Sequence, residues 1–143
     1  MALVATYLNL PGTTEAAFEF YRSVFGTEYA GEGVMRMGDV PTDPDAPPMS
    51  DEQTDMVMHV ALPILAGHLL MGSDMPDATL GNSVQIMLNP DSREEADDLF
   101  VKLSDAGTVI EPMADMFWGD YWGALTDKFG VNWMIDVENT PSA

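Results

Sequence analysis

The stretch LNPDSREEADDLFVKLSDAGTVIEPMADMFWGDYWGALTDKFGVNWMIDVE (residues 88–138) contains one helix and the strands that follow it. Asn89-Pro90-Asp91-Ser92 is a helix-start signal: Ser92 is placed to cap, and Glu95 stands three residues on, the capping-box spacing. Ala96, Leu99, Phe100 and Leu103 recur at helical spacing and form one apolar face, which Ala106-Gly107 closes off. Beyond it, Thr108 to Pro112, Gly119 to Thr126 and Val131 to Val137 alternate or run apolar between turn residues and read as three strands. A further strand, Ser83 to Leu88, precedes the helix. This half is therefore β-α-β-β-β.

The first half repeats that plan. Leu3 to Leu10 reads as a strand ended by Pro11-Gly12. Thr13 or Thr14 can cap a helix whose Ala16, Ala17, Phe20, Tyr21 and Val24 keep helical spacing, and Gly26 ends it. Glu28 to Met37, Met56 to Ile64 and Leu69 to Ser73 are expected strands. Between the first two of these lies 38–55, an acidic loop with four prolines and six acids that reads as mobile surface. A duplicated plan at this length means two similar modules, about 1–76 and 83–138, within one domain of 143 residues. The fold class is α+β. Each module lays one sheet face on its helix, and the other faces can close around a cavity.

Composition narrows the function classes. With 5 Lys+Arg against 24 Asp+Glu, the net charge is -19, a surface that repels phosphate backbones and anionic lipid. No nucleic-acid or membrane partner is expected. The run from Met56 to Met71 is broken by His59, Pro63, Gly67 and His68, so it is no membrane span. The absence of cysteine removes disulfides, thiolate catalysis and cysteine zinc sites. With no signal peptide evident, a cytoplasmic location is expected. No Gly-rich phosphate loop, no Gly-x-Ser-x-Gly and no EF-hand spacing is present.

YLNLPGTTEAAFEFYRSVFGTEY (7–29), MVMHVALPILAGHLLMGSDMP (56–76) and the 88–138 stretch, with its Pro-Met, Phe-Trp-Gly and Asp-Lys-Phe-Gly-Val-Asn-Trp elements, together resemble the vicinal oxygen chelate superfamily of glyoxalases, bleomycin-resistance proteins and extradiol dioxygenases. The likeness is to its PhnB-like branch of small bacterial proteins and covers nearly the whole chain. It implies two βαβββ modules with mixed, curved sheets around a cavity. It also implies a homodimer and, in the superfamily's enzymes, a divalent metal held by His and Glu from the first and last strands of each half. Matching the segments puts Thr6, Met71, Gln85 and Met134 at those positions, a set without carboxylate or imidazole. A slip of one residue moves each to the opposite strand face. Asp136 shares the face of Met134, whereas Asp74 lies three beyond Met71.

The expectation is therefore a binding protein with no cofactor and no metal site, holding a small hydrophobic or cationic molecule in an apolar cavity. Twelve methionines, with Met56, Met58, Met71, Met87 and Met134 in strands, supply adaptable surface. Trp118, Tyr121, Trp122, Phe129 and Trp133 supply stacking faces. The residues assigned to the cavity are Thr6, His59, Met71, Gln85, Trp118, Trp122 and Met134. The alternative is a metal-dependent lyase, isomerase or dioxygenase of the same superfamily using His59, Gln85 and an acid such as Asp136 or Glu138. A third reading is an interaction protein that offers the 38–55 loop to a basic partner. His59 in mid-strand and His68 after a turn glycine have ordinary roles available as hydrogen-bonded strand residues.

Overall fold

The computed structural model describes residues 2–41 and 43–138. It divides into two compact units with the boundary between Thr79 and Leu80.

The first unit runs β1 (Thr6–Leu10), α1 (Thr14–Phe25), β2 (Met35–Arg36), a short helix α2 (Asp51–Asp55), β3 (Val57–Pro63) and β4 (Leu69–Asp74). Its four strands form one mixed sheet in the order β1-β4-β3-β2, with β1 parallel to β4 and the other pairs antiparallel. Helix α1 buries Ala17, Phe18, Tyr21 and Val24 against Leu10, Val60, Leu62 and Leu70. Gly72 sets how near α1 can come. A Cβ there would lie 2.7 Å from the Phe18 ring and 3.1 Å from the Leu8 carbonyl oxygen, so only glycine fits without displacing one of them.

The second unit runs β5 (Ile86–Leu88), α3 (Arg93–Ser104), β6 (Thr108–Asp115), β7 (Tyr121–Thr126) and β8 (Asn132–Val137). The sheet order is β5-β8-β7-β6, again with the first pair parallel. Leu99, Phe100 and Leu103 of α3 cover Leu125, Trp133 and Ile135. Both units thus have the β-α-β-β-β plan, in two open four-stranded mixed sheets.

The helix that starts at Ser92 is capped as its sequence predicts: the Ser92 hydroxyl accepts from the Glu95 N–H at 3.1 Å. The start of α1 is not. Thr13 occupies the cap position without a side-chain hydrogen bond, and the Asp74 carboxylate on β4 accepts the Thr14 N–H instead, at 3.1 Å. The other oxygen of Asp74 accepts the Val57 N–H at 2.9 Å, so one side chain ties helix start to strand start.

Two expected elements need correction. The strand expected over Glu28 to Met37 shrinks to Met35–Arg36. Gly31 and Gly33 both take positive φ (62° and 81°), which turns the chain out of extended geometry after a lone bond from the Ala30 N–H to the Ala61 carbonyl of β3 at 2.9 Å. The 38–55 segment is not all loop. Ser50 and Gln53 form a reciprocal capping box that starts α2, and Arg36 holds the Glu15 carboxylate at 2.6 Å while donating to the Asp55 carbonyl at 3.0 Å.

Candidate functional site

Strand register decides which side chains share a face. In the first unit Thr6 pairs with Leu70, and Tyr7 with Met71. Leu70 and Gly72 face α1, so Thr6 does too, and its hydroxyl is hydrogen-bonded to His68 Nε2 at 2.9 Å. Thr6 therefore does not share a face with Met71. The side chain beside Met71 on the face away from α1 is Tyr7, one residue along. On that same open face His59 stands opposite Met35 and stacks on Tyr7, ring centroids 5.9 Å apart, with the phenol oxygen 3.4 Å from His59 Nδ1.

In the second unit Tyr121 and Gly123 face α3. The Tyr121 hydroxyl donates to Asp97 on that helix at 2.5 Å, which raises the pKa of the phenol above its ordinary value, and Gly123 backs onto Phe100. Arg93 caps the arrangement from above the Tyr121 ring and pairs with Asp115. The alternate positions form the open face. Met134 pairs with Met87 on one side and Ala124 on the other, and Trp122 pairs with Asp136. Gln85 is exposed and lies just before β5, so Met87, two residues later, is the neighbour of Met134. Trp118 sits in the turn between β6 and β7, 50% exposed, its ring 6.1 Å from that of Trp122 at a steep angle.

Of the seven residues assigned from sequence, the structure thus gathers His59 and Met71 on one open face, and Trp118, Trp122 and Met134 with the other. Thr6 turns to the helix side and Gln85 stands outside the sheet. Tyr7, which the sequence reading did not single out, and Met87, which it named only among the strand methionines, share these open faces with Met71 and Met134.

Asp136 is only 9% exposed although it lies on an open face. Burial is the main cause that raises its pKa, and the Asp120 carboxyl beside it adds to the rise; the Asn89 amide, donating at 3.3 Å, opposes it. A raised pKa means that the folded chain holds this proton more tightly than the unfolded one. The group's stabilising contribution is therefore complete at acid pH and is lost as pH rises through the folded pKa. Asp136→Asn, neutral at every pH and still able to accept from Asn89, is expected to melt higher than the parent at about pH 8. The advantage should shrink as pH falls and be gone below the unfolded carboxyl's pKa of about 3.9 in paired thermal scans. A variant that melts lower at both would mean the carboxylate is held by contacts that an amide cannot reproduce.

The Glyoxalase/Bleomycin resistance protein/Dioxygenase superfamily model matches residues 10–135. The chain belongs to this family. The Pseudomonas aeruginosa protein PA1353 is 32% identical, with a TM-score of 0.79 over 96% of this chain and 98% of that one. The PhnB protein of Bacillus cereus is 25% identical, with a TM-score of 0.72 over 94% and 98%. The Escherichia coli protein YjdN is 25% identical over 140 residues, 94% of each chain.

The family's enzymes imply a divalent metal, and the residues present do not suit one. With register fixed, the first and last strands of each unit offer Tyr7 with Met71 and Met87 with Met134. Three thioethers and a phenol are poor ligands for hard divalent ions. Among the described residues no three of His, Cys, Asp and Glu come together as a metal-holding group. No helix among them is long and apolar enough to cross a membrane.

Proposed function

We propose that this chain is a non-metal binding member of the family that takes a small hydrophobic or cationic molecule on its open sheet faces. The observation that supports it is that Tyr7 with Met71, and Met87 with Met134, pair on the open faces: three thioethers and a phenol at the strands to which the resemblance assigns imidazole and carboxylate. Methionine adapts to irregular ligands, and aromatic rings add stacking area, so these faces suit an apolar guest. Met71 and His59 remain the assigned contacts on the first unit's face, joined by Tyr7; Met134, Trp118 and Trp122 remain those on the second unit's face, joined by Met87. Thr6 and Gln85 are at most peripheral to such a surface. The protein works as a homodimer in this reading, because β1, β2, β5 and β6 are sheet edges that a second copy can cover.

Elemental analysis of protein purified without chelators or added metal tests the proposal. We expect no stoichiometric transition metal, and stabilisation by hydrophobic or cationic compounds in a thermal-shift screen. One tightly held metal per chain would overturn it in favour of a metal-dependent lyase or isomerase. Light scattering at micromolar concentration checks the dimer, which a monomer mass would refute.

A further inference from the structure

On the open face of the second unit an acid and a set of indoles stand side by side. Trp122 on β7 is directly across from Asp136 on β8. Trp118 packs edge-to-face on Trp122, and Phe117 packs the same way on Trp118, ring centroids 5.1 Å apart. These rings are not core. Phe117 is 97% exposed and Trp118 half exposed. The turn that carries them is held by backbone bonds, Met116 N–H to the Asp120 carbonyl at 2.8 Å and Gly119 N–H to the Met116 carbonyl at 3.0 Å. Grouped aromatic area left in water beside polar groups is characteristic of a binding surface.

The polar groups specify the charge of the guest. Asp136 is buried beside this aromatic group, with the Asp120 carboxyl against it. The other charged group facing it is Glu138, at the end of β8, and the β5 side contributes only the neutral Asn89 amide. The unit's basic side chains are engaged elsewhere: Arg93 with Asp115 on the α3 side, Lys102 with Asp98, and Lys128 against the Phe129 ring. The acids here are therefore matched by no cation of the second unit among the described residues. A positively charged guest would answer both features, since indole faces attract cations most strongly of the aromatic side chains.

We propose that this face binds an organic cation, an ammonium or amidinium group on an aromatic or alkyl body, with the body against Trp118 and Trp122 and the charge at Asp136 and Asp120. The inference rests on the non-metal binding function above and deepens it by naming the ligand class. It has a proton consequence. Asp136 holds its proton more tightly than an ordinary carboxyl, and an arriving cation favours the ionised form, so the proton leaves to solvent as the cation binds. Affinity then rises with pH until Asp136 is ionised before binding.

The test uses benzyltrimethylammonium and its uncharged carbon isostere, neopentylbenzene, on the full chain, with tryptophan fluorescence and titration calorimetry in buffers of different ionisation enthalpy. We expect the cation to bind at least about tenfold more tightly than the isostere, with proton release at mildly acid pH. Trp118→Ala, at an exposed turn position, and Asp136→Asn, which keeps shape, should each weaken the cation about tenfold. Equal binding of cation and isostere overturns the ligand class and leaves the apolar binding function standing. Binding of neither overturns both. Cation binding unchanged in both variants is diffuse attraction to an acidic surface and overturns the site.

Discussion

Asp127→Ala should cost about 3 kcal/mol of folding stability, because three donors lose one acceptor at once. Asp127 is 4% exposed, at the end of β7. Its Oδ1 accepts the Phe129 N–H at 2.8 Å and the Val131 N–H at 3.1 Å, and its Oδ2 accepts the Trp133 indole N–H at 2.9 Å. Trp133 is fully buried beneath α3, so its indole N–H has no water to turn to once the carboxylate is gone. The same side chain closes the β7–β8 turn, in which Gly130 takes φ 88° and donates to the Asp127 carbonyl at 3.0 Å. Asp127→Asn should cost less, about 1–2 kcal/mol: its amide oxygen can still serve the turn, but its NH2 then faces the indole donor. Denaturant unfolding of the three proteins measures this order. An alanine variant within about 0.5 kcal/mol of the parent would show that the turn and the indole are held by other groups.

That residue also shows where the sequence stops being legible. Asp-Lys-Phe-Gly-Val-Asn-Trp is conspicuous as a motif, and its spacing contributes to the family resemblance. That the aspartate serves the tryptophan six positions on, and not a ligand, depends on the turn folding back. Asp74 teaches the same lesson at longer range: it caps Thr14 from 60 residues away, a partner no local pattern announces. Helix α3, by contrast, declares itself through local signals, Ser92 with Glu95 and the spacing Ala96-Leu99-Phe100-Leu103. The strand expected over Glu28 to Met37 is cut to Met35–Arg36 because Gly31 and Gly33 take positive φ, which a strand expectation does not foresee.

Which face of a strand a residue takes turns on a single position, and segment matching does not resolve it. Choosing Thr6 over Tyr7 put a helix-side residue at a face position, whereas Met71, Met134, His59 and Trp122 were placed on the open faces. Asp136 was visible as a face-mate of Met134, but its burial beside Asp120 depends on the β6–β7 turn and could not be read from strand period alone.

The melting temperature should rise by about 5–10 °C between about 0.1 M and 1 M NaCl, roughly 2 kcal/mol for a chain of this size. Two effects of salt oppose each other. Added ions weaken the ion pairs Arg22–Glu28, Arg36–Glu15, Arg93–Asp115 and Lys102–Asp98, but these are partly exposed pairs of a kind each worth only about 0–1 kcal/mol. Added ions also screen acids from one another. There are 24 acids and 5 bases, so even complete one-to-one pairing leaves most carboxylates repelling their neighbours. The screening length falls from about 10 Å to about 3 Å over that range, shorter than most distances between surface charges. Repulsion among many groups then fades while few attractions are lost, and the folded state gains. KCl should act like NaCl, since screening depends on ionic strength and not on the ion. A flat or falling melting temperature would mean that the described ion pairs, with Arg36 tying the 38–55 segment to α1, outweigh the repulsion. In that case Arg36→Gln, which removes one of these attractions, should turn the response towards a rise with salt, which separates specific attractions from the collective field.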